Sequence, residues 1–242
     1  MILKSGYSNR GGRERNEDSC AALQRGALFC AVLADGLGKH GGGDVASRVA
    51  VDTVKQNFKE QSRKTDISRE KLENWFYQAN EKILAQQTRE CQMKTTLAVL
   101  CLDSSTREAK WAHLGDSRIY HFVDGRQEFC TFDHSVSRMA VLMGEITLDE
   151  IRFHPDRSKL LKVVGKDEMA RPEYGECQLE KGKKHAFLVC SDGFWEYVTE
   201  KDMESALKAS ATPEEWIERM REKLENRVDG RNDNNSAIAI FI

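Results

Sequence analysis

The chain has 242 residues, and its 37 Lys and Arg against 39 Asp and Glu leave a formal net charge of −2. This balance argues against a nucleic-acid partner, because proteins that bind polyanions usually carry a marked basic excess. A hydrophobic fraction of 40% can supply a core, while 17 Gly and 3 Pro are too few for a disordered or collagen-like chain. We expect one compact domain over residues 1–242.

Neither a targeting segment nor a disulfide framework is evident. The start of the chain, Met1 to Gly6, lacks the basic and then apolar segments of a signal peptide. The longest apolar run, 27–34, is far shorter than the ~20 residues that span a bilayer as a helix. Seven cysteines form no C-x-x-C pair, which favours neither disulfides nor a zinc site. These features predict a cytoplasmic protein with no membrane insertion.

Strand-sized apolar runs alternate with segments of helical period in the first half of the chain. The first predicted strand spans 27–33, and further strands are predicted over 97–102 and 119–123. After the third strand, Asp124-Gly125 predicts a tight turn into a second hairpin strand at 126–132. Between the first two strands, a helix is predicted from apolar side chains at helical spacing, namely Leu72, Trp75, Phe76, Ala79 and Ile83.

The second half continues this alternation. A short helix is predicted to begin at Thr147-Leu148-Asp149-Glu150 and to end before His154-Pro155. Strands are predicted over 186–190 and 237–242, and Thr212-Pro213-Glu214-Glu215 predicts a capping box at the start of the last helix. The apolar positions of that helix are Trp216, Ile217, Met220, Leu224 and Val228. Uneven alternation of this kind predicts sheets covered by helices.

Four Asp-Gly pairs occur, and a tight turn is the ordinary explanation for each. It suffices for Asp124-Gly125, and Asp229-Gly230 is expected to end the last helix. Asp35 and Asp192 differ, because each follows a fully apolar strand and precedes a segment without strand character. Their carboxylates are therefore expected at strand ends facing outward, where a metal or phosphate site would lie.

Further acidic residues extend this pair into a possible metal site. Hard divalent ions such as Mg²⁺ and Mn²⁺ take oxygen ligands and need only a few carboxylates on rigid supports. Taken alone, each residue is better explained as a cap or a turn than as a functional group. The candidate carboxylates are Glu17, Asp18, Asp35, Asp116, Asp192 and Asp233.

In this order and spacing, these residues closely resemble the metal-dependent protein phosphatases of the protein phosphatase 2C family. The resemblance extends from Gly11 to Ile242, nearly the whole chain. Its motifs are Arg13 to Asp18; 32–38 with Gly41-Gly42-Gly43 and Ala46-Ser47; Thr95-Thr96-Leu97; Leu114 to Tyr120; Asp133-His134-Ser135; Cys190 to Gly193; and Asn232-Asp233-Asn234.

The resemblance implies a mixed α/β (α+β) fold, a four-layer α-β-β-α sandwich with two central antiparallel sheets and a flap segment at roughly 133–165. It makes Asp35 the carboxylate that bridges two Mn²⁺ or Mg²⁺ ions. The Gly36 carbonyl would bind one ion, and Asp192 and Asp233 would bind the other. The candidate catalytic residues are Arg13, Asp35 and Asp192.

The remaining roles follow from the same resemblance. Glu17 and Asp18 would hold metal-bound waters, and Arg13 would bind the phosphate through its planar guanidinium. Asp116 would belong to a third, weaker metal site found in bacterial members. Leu37 stands where some relatives have a histidine proposed to protonate the leaving oxygen, so the proton donor must differ here.

Two further departures from the family pattern are lysines in place of glycines, at Lys39 and Lys94. They add positive charge near the predicted site or its supports. His40, in the same glycine-rich loop as Lys39, is not included among the catalytic residues, because a lone loop histidine is more often merely exposed.

These features predict a metal-dependent serine/threonine phosphatase that hydrolyses phosphorylated proteins, opposes a serine/threonine kinase and is a monomer. One alternative is a two-metal phosphodiesterase or nuclease, against which the absent basic excess argues. The other is an inactive phosphatase fold used as a binding module. It would predict lost metal carboxylates, and none is missing.

Overall fold

The computed structural model describes residues 2–38, 41–61 and 67–242, so Lys39 and His40 lie outside the described residues. Its strands form two five-stranded antiparallel sheets, with the orders β1-β10-β9-β6-β7 and β2-β3-β4-β5-β8. The strands are β1 (Leu3–Asn9), β2 (Asp18–Arg25), β3 (Leu28–Asp35), β4 (Leu97–Asp103), β5 (Glu108–Leu114), β6 (Arg118–Val123), β7 (Arg126–Cys130), β8 (Glu173–Gln178), β9 (His185–Cys190) and β10 (Asn235–Phe241).

In chain order, all of the described helices lie between strands of this set. A short 3-10 helix, Asp149–Phe153, lies within the flap segment. None of the described helices is long and apolar enough to cross a membrane. The α-helices are α1 (Gly43–Glu60), α2 (Arg69–Leu84), α3 (Val136–Leu142), α4 (Asp192–Trp195), α5 (Glu200–Lys208) and α6 (Pro213–Glu225).

Three buried apolar clusters separate four layers. Alternate side chains of β3 serve two of them, because successive strand residues point to opposite faces of a sheet. Phe29 and Leu33 pack between the two sheets, while Cys30 and Val32 pack beneath α1 and α2. The third cluster packs α4, α5 and α6 against the outer face of the other sheet. The predicted four-layer α-β-β-α sandwich is confirmed.

The hairpin predicted after β6 is confirmed, although its second strand ends at Cys130 and not at residue 132. Val123 pairs with Arg126 across a two-residue turn, in which Asp124 has φ 49° and Gly125 has φ 78°. Positive φ at both central residues is the type of turn whose twist matches the flanking strands. Asp124 also accepts a hydrogen bond at Oδ1 from the Lys184 backbone N–H at 3.0 Å, which explains an aspartate here without any catalytic role.

Details at the last helix differ from the sequence-based predictions. Thr212 accepts a hydrogen bond from the Glu215 backbone N–H, but the Glu215 carboxylate bonds to the Ala211 N–H, so no reciprocal capping box forms. The helix ends at Glu225, and therefore Val228 and the Asp229-Gly230 turn lie beyond it. The capping box that does form is at α5, between Thr199 and Asp202.

The predicted short helix at 147 is present in the tighter 3-10 form, Asp149–Phe153. The Glu150 carboxylate accepts hydrogen bonds from both the backbone N–H and the hydroxyl of Thr147, but the N-cap residue is Leu148 and no side chain caps this helix. Phe153 is 82% exposed, so this helix buries only part of its apolar residues.

Candidate metal centre

Asp35 ends β3 and stands directly opposite Asp18, the first residue of β2. Both the N–H and the carbonyl of Asp35 form hydrogen bonds with Thr95 and Thr96. The Asp35 N–H donates to Thr96 Oγ1 at 2.9 Å, and its carbonyl accepts from the Thr96 N–H and the Thr95 hydroxyl, each at 2.8 Å. The paired threonines therefore satisfy the Asp35 main chain, and its carboxylate interacts with the other acidic side chains.

Asp18 presents one buried carboxylate oxygen with no hydrogen-bond partner. Its Oδ2 accepts from the Ser191 hydroxyl at 2.8 Å, and that hydroxyl accepts from the Ser236 backbone N–H at 3.0 Å. Oδ1 is buried without any partner. Burial, with added repulsion from Asp192 and Asp233, raises the pKa of Asp18 to about 7.

Asp192 begins α4 immediately after β9, and its Oδ1 is also buried without a partner. A hydrogen bond joins the side chains of Asp192 and Asp35. Burial and the charge of Asp233 raise the pKa of Asp192 to about 6. Gly193 follows, and a side chain at that position would collide with the Asn234 carbonyl, so the bare backbone brings the Asp192 and Asp233 loops together.

Asp116 lies in the turn between β5 and β6 and is only 3% exposed. The Trp195 indole N–H donates to its carbonyl oxygen at 2.9 Å, which fixes the turn against α4. Burial and then the charge of Asp192 raise the pKa of the Asp116 carboxyl well above its usual range. Asp116 therefore lies close enough to the strand-end carboxylates to share their electrostatic field.

Arg13 and Asp233 form an exposed ion pair in which Arg13 Nη2 donates to Asp233 Oδ2 at 2.7 Å. Asn234 supports both loops, because its Nδ2 donates to the carbonyls of Arg10 and Arg15. Its Oδ1 accepts from the Glu17 backbone N–H at 2.7 Å. Asn234 thus fixes the loop that carries Arg13 to the strand that follows Asp233.

Glu17 lies beside the glycine-rich loop. Its backbone carbonyl accepts from the Gly36 N–H at 3.1 Å, and a side chain at Gly38 would collide with its carboxylate. Burial, followed by repulsion from Asp44, raises the pKa of Glu17. Leu37 donates its N–H to the Lys94 carbonyl at 2.9 Å, so the altered position Lys94 supports this loop through its backbone.

The site has the donor set expected of a hard divalent cation. Burial and the charges of Asp18, Asp192, Asp116 and Asp233 all raise the pKa of Asp35, which identifies it as the central carboxylate. Carboxylates gathered this closely without a counter-charge repel one another. Buried oxygens on Asp18 and Asp192 also lack partners, and a cation would satisfy both needs. The residues present fit an ion held by oxygen ligands.

These carboxylates lie too far apart for three of them to bind one ion directly. In the described parts of the chain, no three of them place one oxygen each within 4.8 Å of one another. Ions such as Mg²⁺ and Mn²⁺ usually keep several waters, which span such gaps. The arrangement therefore fits divalent ions that would complete their shells with water.

Two supporting residues, Glu196 and Ser117, were not among the predicted site residues. Glu196 has a pKa raised to about 7 by burial and by Asp192, and it accepts a hydrogen bond from Arg157 Nε at 2.6 Å. Ser117 shares a hydrogen bond with Thr96 at 2.7 Å beneath Asp35. Ser117 stands in a motif that identified the family, but its role depends on tertiary contacts.

A family model described as protein phosphatase 2C matches residues 5–229 of this sequence. The chain belongs to that family. The serine/threonine phosphatase stp of Listeria innocua serovar 6a is 29% identical over 208 residues, which cover 83% of this chain and 80% of that protein. The protein phosphatase 2C prediction is therefore confirmed.

Two solved structures show the same architecture. Serine/threonine phosphatase Stp1 from Staphylococcus aureus superposes with a TM-score of 0.88 at 28% identity, covering 100% of this chain and 95% of that one. The catalytic domain of serine threonine protein phosphatase PstP in complex with two manganese ions has a TM-score of 0.82 at 25% identity, covering 100% of this chain and 98% of that one.

Proposed function

We propose that this protein is a metal-dependent serine/threonine protein phosphatase that hydrolyses phosphoserine and phosphothreonine monoesters in proteins. The observation that carries the proposal is the set of carboxylates around Asp35, with unpartnered buried oxygens on Asp18 and Asp192, beside the exposed guanidinium of Arg13. Membership of the protein phosphatase 2C family supports it.

The cations held there are proposed to be Mn²⁺ or Mg²⁺, two in number, with a third at Asp116. Asp35 would be shared between the two principal ions, the Gly36 carbonyl would bind one, and Asp192 and Asp233 the other. Glu17 and Asp18 would hold waters at the edge of the centre. When bound, such ions supply a nucleophile at neutral pH and neutralise phosphoryl charge.

The protein's own groups position the substrate. Arg13 is exposed and already oriented by Asp233, so its free N–H groups can donate to phosphate oxygens. The Asp35 and Asp192 side chains meet at the ends of β3 and β9, on supports fixed by the sheets. Such rigid placement lets the site orient the phosphoryl group without reorganisation during the reaction.

Hydrolysis of a phosphomonoester, and not of a diester, tests the proposed substrate class. Purified protein with Mn²⁺ should release phosphate from a phosphothreonine peptide and leave bis-para-nitrophenyl phosphate and single-stranded DNA intact. The net charge of −2 favours this outcome over a nuclease. Preferential cleavage of either diester would reject the proposal, and binding of phosphopeptide without turnover would point to an inactive binding module.

Arg13→Lys should impair catalysis although the charge is kept, because lysine lacks the planar fork that binds phosphate and Asp233 together. A charge-assisted hydrogen bond contributes about 1.5–3 kcal/mol, which corresponds to a loss of roughly 10–100-fold. Steady-state kinetics on a phosphothreonine peptide measure it. Equal falls in kcat and kcat/KM would place the contact in the transition state. Unchanged kinetics would remove Arg13 from the site.

We further infer that the protein acts in the cytoplasm on substrates phosphorylated by a serine/threonine kinase. All seven cysteines are free, as is usual in a reducing compartment. A phosphatase of this class needs a kinase that makes its substrate. The monomeric state stays a prediction.

A further inference from the structure

A second group of metal-ligand side chains lies at the base of the flap segment, outside the carboxylate centre. His113, near the end of β5, is paired in register with Glu173, the first residue of β8. His134 follows β7, where the chain enters the flap. In the described ranges, these are the three histidine, cysteine or acidic residues that place one ligand atom each within 4.8 Å of one another.

His113 has a free ring nitrogen in a buried place. The residue is 1% exposed, and its Nε2–H donates to the Phe132 carbonyl at 2.9 Å. That bond leaves the lone pair on Nδ1, which is buried and has no hydrogen-bond partner. Histidines that bind metals usually donate their other ring N–H to a carbonyl or carboxylate in this way. Burial also lowers the pKa of His113 to about 4, so the ring is neutral at physiological pH.

His134 and Glu173 already have the spacing of two ligands on one ion. His134 Nε2 lies 3.3 Å from Glu173 Oε2. Two ligands about 2.0–2.1 Å from a tetrahedral zinc ion are separated by roughly 3.3 Å. The His113 and His134 rings are stacked at an interplanar angle of 15° with centroids 4.7 Å apart, slightly less than the roughly 5 Å expected of two imidazoles on one such ion. One ring must turn for both lone pairs to point at that ion.

Access and charge also fit a cation at this place. The Glu173 side chain is 46% exposed, which opens the group to solvent and lets the carboxylate adjust. The hydrogen bond from His134 lowers the pKa of Glu173, and the nearby Lys162 contributes in the same direction. The carboxylate is therefore ionised at neutral pH and can serve as a ligand.

We propose that His113 Nδ1, His134 Nε2 and the Glu173 carboxylate bind one divalent transition-metal ion of the Zn²⁺ class, with water in the remaining position. Two imidazoles and one carboxylate suit Zn²⁺, Co²⁺ or Fe²⁺ and are a poor set for Mg²⁺. This site is chemically distinct from the all-oxygen centre around Asp35. It would connect the start of the flap at His134 to the strand that follows it.

Binding of an ion would change which ring nitrogen of His134 carries the proton. At present the Gly115 N–H donates to His134 Nδ1 at 3.2 Å, so the neutral ring carries its proton on Nε2. A metal needs the Nε2 lone pair, and the ring's proton must then move to Nδ1. Nδ1–H can no longer accept from Gly115, so a bound ion breaks this hydrogen bond. Gly115 precedes Asp116, so an ion bound at the histidines would loosen the turn that carries Asp116. Any resulting change in phosphatase turnover rests on the proposed function.

A Co²⁺ titration in saturating Mg²⁺ tests the site, because cobalt bound by imidazoles in low coordination absorbs visible light far more strongly than cobalt in an octahedral oxygen shell. The full-length protein should show such a band. Glu173→Gln and His113→Asn should each weaken the Co²⁺ affinity at least tenfold, since even outer-shell substitutions cost about 10–100-fold. Glu176→Gln is the matched control, an exposed carboxylate on the same strand that should keep the band.

One further variant and one further titration separate this site from the catalytic centre. Asp192→Asn, which disables the proposed catalytic centre, should keep the cobalt band, so failure of the proposed function would leave this site standing. Titration with Zn²⁺ should speed hydrogen exchange at the Gly115 amide. Glu173 is partly exposed, so Glu173→Gln should fold normally. It provides the test of the site if His113→Asn does not fold. No band in the parent, or equal affinities in parent and Glu173→Gln, would overturn the proposal.

Discussion

Replacing Asp192 by alanine should abolish phosphatase turnover while leaving the fold intact. The Asp192 side chain forms a hydrogen bond with Asp35. Its Oδ1 is buried without a hydrogen-bond partner, which leaves that oxygen available to a metal ion. Loss of a ligand from a two-metal site removes several kcal/mol of transition-state stabilisation, or roughly 10³-fold or more in kcat. Phosphate release from a phosphothreonine peptide, with circular dichroism as the folding check, measures it.

The same variant should change how stability depends on pH in the metal-free protein. Burial raises the pKa of Asp192 from 3.8 to about 6. A carboxyl whose folded-state pKa is raised stabilises the fold while protonated, and that stabilisation is lost as pH rises from about 4 through about 6. In chelator, the parent's melting temperature should fall over this range, and that of Asp192→Ala should fall less.

Asp124→Asn is the matched control for Asp192→Ala. Asp124 also belongs to an Asp-Gly pair, but it lies in the β6–β7 hairpin and bonds to the Lys184 backbone. Asparagine tolerates the positive φ and keeps the acceptor oxygen. Turnover should match the parent. A loss comparable to that of Asp192→Ala would show that the assay reports general instability, and it would remove the support for Asp192.

Asp116→Ala should damage hydrolysis of a phosphothreonine peptide much more than hydrolysis of para-nitrophenyl phosphate. Leu37 cannot transfer a proton, so we assign proton supply for the leaving group to the proposed third cation site at Asp116. A threonine alkoxide needs protonation badly, whereas nitrophenolate does not. General acid catalysis contributes about 10²–10⁴-fold, so the peptide should lose at least ~100-fold and the aryl phosphate only roughly threefold.

A structural role for Asp116 would give a different pattern. The residue is buried in the turn between β5 and β6, and Trp195 bonds to its carbonyl. If the side chain only stabilises that turn, both substrates should lose activity alike and the melting temperature should fall. Both substrates and the melting temperature, measured on one preparation, separate the two roles.

Apolar runs predicted the strands that are buried on both faces, and the turn at Asp124-Gly125 predicted the edge strand β7, but β1, β2, β5 and β8 were missed. The five apolar runs correspond to β3, β4, β6, β9 and β10, which lie within the layers and are almost wholly buried. The strands β1 and β8 lie at sheet edges and are largely exposed, so their residues form no apolar run. In β5, Lys110 and His113 interrupt the pattern.

The candidate site shows the same division. Asp35 and Asp192 could be predicted because each directly follows an apolar strand. The contacts that hold them could not, since they depend on tertiary pairing: Ser191 bonds to Asp18 across 173 positions, and Asn234 to Glu17 across 217. The family resemblance supplied a proposed ligand set, but only the structure reveals which oxygens lack partners.

Metal dependence of phosphopeptide hydrolysis tests the central claim most directly. Protein stripped of metal with a chelator and exchanged into metal-free buffer should release no phosphate from a phosphothreonine peptide. Adding Mn²⁺ should restore turnover in the parent and not in Asp192→Ala, because the carboxylates around Asp35 need a cation to act. Full turnover after rigorous removal of metal would contradict the role assigned to these carboxylates.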